Sequence, residues 1–474
     1  MNLDVQTTLA WLAATTVLLP LASFGLVATL EVLGRTPDDR QLARLAKLTF
    51  SLTTVAGLAA AVVFAVEGFA PVHHVFGHWF GIGDPDADHY GFDLGVLVDA
   101  TSLVYLVLTA VLSGTVGAFS LRYLEGERGA GRFFQLLMLF ASGLSLLVVA
   151  ESLDLLFVGW EIVGITSALL IAFYRERSGP VRHGLLAFAI YRVCDAALLA
   201  ALVVLHHLAG SGALPDAFAA TTSAAGATTL GLLLLFASLG KSAQFPFSGW
   251  LPRAMEGPTP SSAIFYGALS VHAGAYLLLR TAPLWESSTI VRAVVIGVGA
   301  MSALSGTLVG RAQTDAKSSL AYASVTQVGL IFVEIGLGWH TLALVHVVGH
   351  ASLRTFELLR APSLLLDHQQ LEAQLGGRVP ATGLHYERAL PLGLRARLHR
   401  FALSRFGLDA LASRLTFALT SFVAACDRVD RHLAAATDGR PAFEDEELPE
   451  LALRTARRPT PPTHTSSETA EVSR

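Results

Sequence analysis

At four places in this sequence an ionisable side chain stands inside a long run of Leu, Ala, Val and Gly. Such a group costs about 2.5–3.5 kcal/mol to carry into a membrane, so it is retained for a partner or a task. Glu161 sits in LLFVGWEIVGITSALL, Arg192 and Asp195 in FAIYRVCDAALL, Lys241 in LLLLFASLGKSAQFPFSGW, and His346, His350 and Arg354 in LVHVVGHASLRTFELL. Arg192 and Asp195 are one helical turn apart and can pair on one face, either as a plain ion pair holding helices in register or as part of a relay. The two histidines and Arg354 follow at spacing four and share a stripe. Glu161 and Lys241, buried together, can exchange protonation as their separation changes, which is what a proton relay requires. The histidine pair lacks the intervening Glu of a HExxH zinc motif and has no third ligand at a recognisable spacing, which disfavours a metal site there.

These residues need a membrane around them. Of the 474 residues 53% are hydrophobic and 15% charged, against roughly 25% charged in a soluble domain. Runs of bilayer length recur at 9–32, 48–66, 94–119, 133–150, 153–173, 185–208, 230–247, 263–279, 290–309, 320–335 and 342–359, giving an all-α polytopic protein with about eleven spans. The first has no basic stretch before it and no small-residue cleavage site after it, and is read as a retained helix. Arg35, Arg40, Arg44 and Lys47 follow the first run, Arg122, Arg128 and Arg132 the third, Arg175, Arg177 and Arg182 the fifth, Arg253 the seventh, Arg311 and Lys317 the ninth. Loops 67–93, 209–229, 281–289 and 336–341 hold no Lys or Arg. The positive-inside rule then predicts an inner-membrane protein with its N-terminus outside and its C-terminus in the cytoplasm.

Residues 1–362 read as one membrane domain, 363–385 as a polar connector, 386–437 as a basic amphipathic cytoplasmic segment, and 438–474 as a disordered tail. Within the third of these, 408–425 is apolar enough for a further span. The seventh run ends in KSAQFPFSGWLPRAMEGPTPSSA, whose prolines forbid a continuous helix. Broken helices at membrane depth are tolerated where they face protein or a water-filled cavity, so this one marks an ion path. The loop PVHHVFGHWFGIGDPDADHYGFD, with His73, His74, His78 and His89, invites a zinc reading but lacks cysteine and ligand spacing, and is read as an outer hairpin. Cys194 and Cys426 form no CxxC, and neither a GxGxxG after a strand nor a haem motif is present, so the chain is expected to carry no cofactor and to be no redox enzyme by itself. A net charge of −4 disfavours a nucleic-acid surface.

GKSAQ, WLPRAMEGPTPSSA, LFVGWEIVGITS, the RVCD step and SSLAYASVTQVGLIF resemble the signature segments of the proton-conducting membrane subunits shared by complex I and multisubunit cation/proton antiporters. The resemblance runs from about 94 to 359 and implies ten core helices with an inverted internal repeat. It makes Glu161 the fifth-span glutamate, Lys241 its seventh-span partner, and His346 and His350 the eleventh-span histidines of a central hydrophilic axis. Three departures stand out. Arg354 replaces the usual Lys and cannot release its proton. Tyr266 replaces a histidine of the eighth span, while His272 appears nearby. No counterpart of a twelfth broken helix or a lateral helix is read after the eleventh run, so a complete proton route of the complex I kind is not implied.

FYGALSVHAGAYLLLR and GHASLRTFELLRAPSLLLDH further resemble the membrane subunit of DAB-type inorganic-carbon-uptake complexes. That resemblance implies a cytoplasmic carbonic-anhydrase-like zinc partner, with a gradient of protons or another cation driving hydration of CO2 to bicarbonate. The alternatives are a complex I subunit L or cation/proton antiporter subunit, and an inert membrane anchor.

Overall fold

The computed structural model describes residues 3–82, 90–220, 223–375 and 389–408, together with positions 410, 414, 421, 426 and 429. The chain divides into units 1–408 and 409–474, and the elements below belong to the first. His89, part of the 363–385 connector, nearly all of 408–425 and the 438–474 tail lie outside the described residues.

Eleven helices among the described residues are long and apolar enough to cross a membrane. They are α1 (Leu3–Val32), α2 (Asp39–Val66), α3 (Ala100–Tyr123), α4 (Ala130–Val149), α5 (Leu153–Ile171), α6 (Ser178–Ala209), α7 (Ala224–Lys241), α8 (Thr259–Arg280), α9 (Thr289–Arg311), α10 (Ala316–Gly336) and α11 (His340–Leu375). Side chains that satisfy the free amides of the first turn fix where several begin. Asp38 and Asp99 form capping boxes with Gln41 and Ser102, while Ser152, Ser223, Ser288 and Asp315 cap α5, α7, α9 and α10. Leu26, Val55, Val62, Val193, Val203, Leu304 and Val345 project outward. Large apolar side chains exposed around a whole bundle suit a surface solvated by lipid.

The expected third run splits. Residues 94–98 belong to a strand, because they pair rather than coil: β1 (Val72–Ile82) and β2 (Tyr90–Val98) form an antiparallel hairpin with Val72 opposite Val98 and Ile82 opposite Tyr90. The histidine-rich segment is therefore a β-hairpin, and Val96 bridges to Ala150 between α4 and α5. His73 lies 2.6 Å from the carboxylate of Glu151, and His78 lies 2.8 Å from that of Asp93. The Glu151 carboxylate rests directly on the Gly95 backbone, in space a Cβ would occupy. Burial pushes the Glu151 carboxyl above its ordinary range, and the His73 contact opposes this in part.

A carboxyl that holds its proton more firmly in the folded state makes that state bind more protons than the unfolded chain. Stability then falls as pH rises from the ordinary carboxylate range towards the raised value. Glu151→Gln is expected to flatten that decline in the unfolding temperature measured against pH in detergent; an equal slope in wild type and variant would refute this.

Two features of the bundle position the site. One is α8, which is enclosed by protein along its whole length and is not a regular helix: Ser262–Ala268 is a π-turn and Ser270–His272 a 3-10 turn before α-geometry resumes at Ala273. Such interruptions free backbone groups at the depth where ionisable side chains collect. The other is the α9–α10 pair, where Gly299 and Gly329 bring the two backbones into contact: a Cβ on either would lie 2.5–2.6 Å from the other's carbonyl oxygen.

The part of α11 apolar enough to span is His340–Ala361, and the helix runs on to Leu375. A further helix, α12 (Leu392–Leu403), starts after Pro391 and packs on α9.

Candidate ion-translocation axis

The side chains singled out from sequence gather in two clusters inside the bundle. In the first, α5 supplies Glu161, α6 supplies Arg192 and Asp195, and α7 supplies Lys241. Arg192 holds both carboxylates, pairing with Glu161 through Nη1 and with Asp195 through Nη2 at 2.8 Å. Lys241 Nζ lies 3.9 Å from Asp195 Oδ2. It also faces the rings of Tyr191 and Trp160 at 4.5 and 5.1 Å from their centroids, and the Trp160 indole N–H donates to Asp195.

Glu161 and Lys241 come close enough to interact electrostatically, and the ion pairs between them form a chain. The forked guanidinium of Arg192 stands between the two acids, and Asp195 links it to the ammonium. The i,i+3 pairing of Arg192 with Asp195 is as the spacing predicts.

Lys241 ends α7. Ser242 caps the helix, Ala243 adopts a left-handed φ of 51°, and Pro246 follows, so the helical ladder cannot continue. The Trp250 indole donates to the Gly240 carbonyl at 3.0 Å, beside the Ala243 amide that donates to the same oxygen at 3.3 Å. The Lys241 side chain is fully buried, and its Nζ has no hydrogen-bond partner among the described residues. Space for it comes from Gly164, where a Cβ would sit 2.5 Å from Nζ.

The second cluster lies on the irregular part of α8 and on α11. His272 Nε2 and His350 Nδ1 are 3.0 Å apart, and His272 Nδ1 donates to the Ala268 carbonyl. The ring centroids of His350 and His346 are 6.5 Å apart. His346 contacts Glu334 Oε1 at 2.8 Å and Gln327 Oε1 at 2.9 Å, both on α10. Between the clusters, Ser242 presses against Gly274, two residues beyond His272, and Ser270 Oγ is 3.5 Å from Ser167 Oγ of α5. The broken ends of α7 and α8 therefore meet where the two clusters adjoin.

Arg354, read as a fixed cation beside the histidines, is itself paired with Glu357 at 2.5 Å, one turn further along α11. Part of its charge is therefore neutralised. Arg354→Lys is expected to retain partial transport, because the pair survives. Arg354→Ala is expected to shift the pH dependence of transport, since it leaves a carboxylate without its cation beside the histidines. An unchanged profile in that variant would remove Arg354 from the electrostatics of the axis.

The sequence reading missed Glu334, Gln327, Glu357, Trp160 and Tyr191. Glu334 was open to the criterion that found Glu161, a lone acid within an apolar run. Glu357 stands one turn beyond Arg354 at ion-pair spacing. The aromatic lining of Lys241 has no signature, since Trp and Tyr in a span are equally at home in a core.

Comparison with known proteins bears on both clusters. Residues 150–374 match the family model described as "NADH:quinone oxidoreductase/Mrp antiporter, TM", and residues 85–134 match "NADH-Ubiquinone oxidoreductase (complex I), chain 5 N-terminus". The chain is 34% identical over 337 residues to NADH-ubiquinone oxidoreductase chain 5 of Cryptococcus neoformans var. grubii, covering 70% of this chain and 50% of that one. It is 35% identical over 303 residues to NADH-quinone oxidoreductase subunit L of Neisseria meningitidis, covering 61% and 44%. It thus spans about half the length of these relatives. Among solved structures, the Mrp complex from a Dietzia species superposes with a TM-score of 0.60 at 26% identity, over 77% of this chain and 38% of that one. An archaeal membrane-bound sulfane sulfur reductase shares the fold, with a TM-score of 0.62 at 19% identity, over 73% and 70%. With spans α5 to α11, Glu161, Lys241 and the histidine pair all inside the larger matched region, the membrane domain of this chain belongs to the antiporter-like superfamily that complex I and the Mrp antiporters share.

Proposed function

We propose that the chain is an ion-translocating membrane subunit, moving protons or another cation through the axis from Glu161 to Glu334. The observation that carries this reading is the run of ionisable groups inside the bundle where two broken helices meet, Glu161–Arg192–Asp195–Lys241 and then His272–His350–His346–Glu334, of which Asp195, Lys241, His272 and His350 are buried and the other four half-buried. An inert anchor has no use for so many ionisable groups within its spans, each costly in a membrane. Arg192 cannot give up its proton, so its part is to move between Glu161 and Asp195 and so change how strongly Lys241 is held. On this reading the Lys- and Arg-bearing loops face the cytoplasm, and the hairpin lies on the outer side of the inner membrane.

The finer reading is that this flux drives inorganic carbon uptake through a cytoplasmic carbonic-anhydrase-like zinc subunit. It is supported by the resemblance of the segments around His272 and Arg354 to DAB-type membrane subunits. The second reading, a subunit of a complex I or cation/proton antiporter assembly, is favoured by the relatives at 34–35% identity.

Affinity purification of the full-length chain from its own membranes separates the two. The carbon-uptake reading expects a soluble zinc-containing protein, lost or weakened when residues 386–474 are deleted, and carbon-dependent growth that then fails. Copurification of quinone-oxidoreductase or antiporter subunits without a zinc protein would replace it with the second reading.

A further inference from the structure

We infer that the cavity between α9 and α10 is the aqueous intake through which protons reach the axis at His346. The inference rests on the translocation reading and adds to it the side and the route of entry. The cavity has a volume of about 230 Å3, room for several water molecules at roughly 30 Å3 each. Its lining begins where the two helices meet their connecting turn, with Gly310 in the last turn of α9 and Ser319 in the first turn of α10. Gln327, two turns beyond Ser319 and about 12 Å further along α10, is the deepest of its lining residues. Thr307 and Thr326 stand between them. They donate to carbonyls of their own helices at 2.8 and 3.1 Å, and their oxygens, 3.3 Å apart, keep lone pairs for water. Gly310 and Ala323 contribute no more than a methyl group, which keeps the volume open. Hydrocarbon in this space would leave an amide and the hydroxyl oxygens without partners, so water is the occupant that fits. The inner end meets the axis directly: Gln327 Oε1 is 2.9 Å from His346 Nε2, and the other imidazole nitrogen is 2.8 Å from Glu334. One side chain therefore separates cavity water from an imidazole of the axis. An imidazole takes up a proton and hands it on, whereas the lining residues include no carboxylate to replace the hydration shell of a metal cation. Arg311 and Lys317 flank the turn between α9 and α10, and the positive-inside rule makes that end cytoplasmic.

The test places single cysteines in the full-length chain, with Cys426 replaced by serine and the buried Cys194 retained, and treats them with a charged, membrane-impermeant methanethiosulfonate. Such a reagent attacks the thiolate, which forms only where water reaches the sulfur. Ala323→Cys and Thr326→Cys are expected to be modified in inverted vesicles, whose cytoplasmic face is outward, and to escape modification in right-side-out vesicles. Leu330→Cys, exposed one turn beyond Thr326 but outside the cavity, is expected to stay unmodified from either side. In proteoliposomes, modification of the folded Ala323→Cys protein is expected to lower its proton flux about a hundredfold, the loss of a positioned relay from a proton-transfer step. Leu330→Cys treated in the same way should conduct as wild type. Protection of Ala323→Cys and Thr326→Cys from both sides would mean that lipid or polypeptide fills the space. Modification from the outer side alone would reverse the route, and undiminished flux after modification would make the cavity a wet groove with no part in conduction. Each of these would overturn the intake and leave the translocation reading standing, whereas a wild-type chain carrying no flux would overturn both.

Discussion

Replacement of Lys241 by alanine is expected to reduce ion flux in proteoliposomes to background while the protein still inserts. The ammonium is fully buried, 3.9 Å from Asp195 and packed over two aromatic rings. Removing one partner of a buried ion pair costs about 3–5 kcal/mol when the other is stranded. Here Asp195 keeps Arg192 and the Trp160 indole, so the stability loss belongs at the lower end of that range and the flux loss is the larger effect. Lys241→Arg separates charge from proton release. It is expected to recover stability but not flux, because a guanidinium in a protein does not deprotonate. Flux near the wild-type level in Lys241→Arg would leave Lys241 a purely electrostatic role.

The second large effect is expected at the His272–His350 contact. Each imidazole reaches the other at 3.0 Å, and a positioned proton-transfer group contributes on the order of a hundredfold or more to a proton-transfer step. His272→Ala and His350→Ala are therefore each expected to lower flux about a hundredfold. Because the two act as one conduit, the double variant should be no worse than the poorer single. Losses that multiply in the double variant would mean that the histidines serve separate paths.

Much of this architecture was legible in the sequence because a membrane reduces the choices. Length and hydropathy place the spans, since a lipid-exposed backbone must satisfy its own hydrogen bonds, and the prolines after Lys241 announce the break in α7. What stayed hidden came from local sequence that suits more than one structure. Residues 94–98 are apolar enough to extend a span and β-prone enough to pair, and only their partner strand decides it. The interruption of α8 around Ser262–His272 contains no proline between Ser261 and His272, so its loss of α-geometry follows from packing, which a single sequence does not display. The same holds at the site. That Glu161, Arg192, Asp195 and Lys241 are costly singly is readable from each one's surroundings; that Arg192 stands between the acids depends on how α5, α6 and α7 are brought together.

The contact of Gly299 with Gly329 bears on how the axis can move. Two helices whose backbones touch have no intervening side chains to swap rotamers, so neither can slide or roll without displacing the other. The α9–α10 pair is in effect a stiff rail, and Gln327 and Glu334, which hold His346, are fixed to it. His272 rides on a span whose ladder is already loosened. Compliance along the axis is therefore lopsided: the His346 end is anchored, the His272 end can yield, and the His272–His350 contact is the joint across which a small shift of α8 would open or close the path.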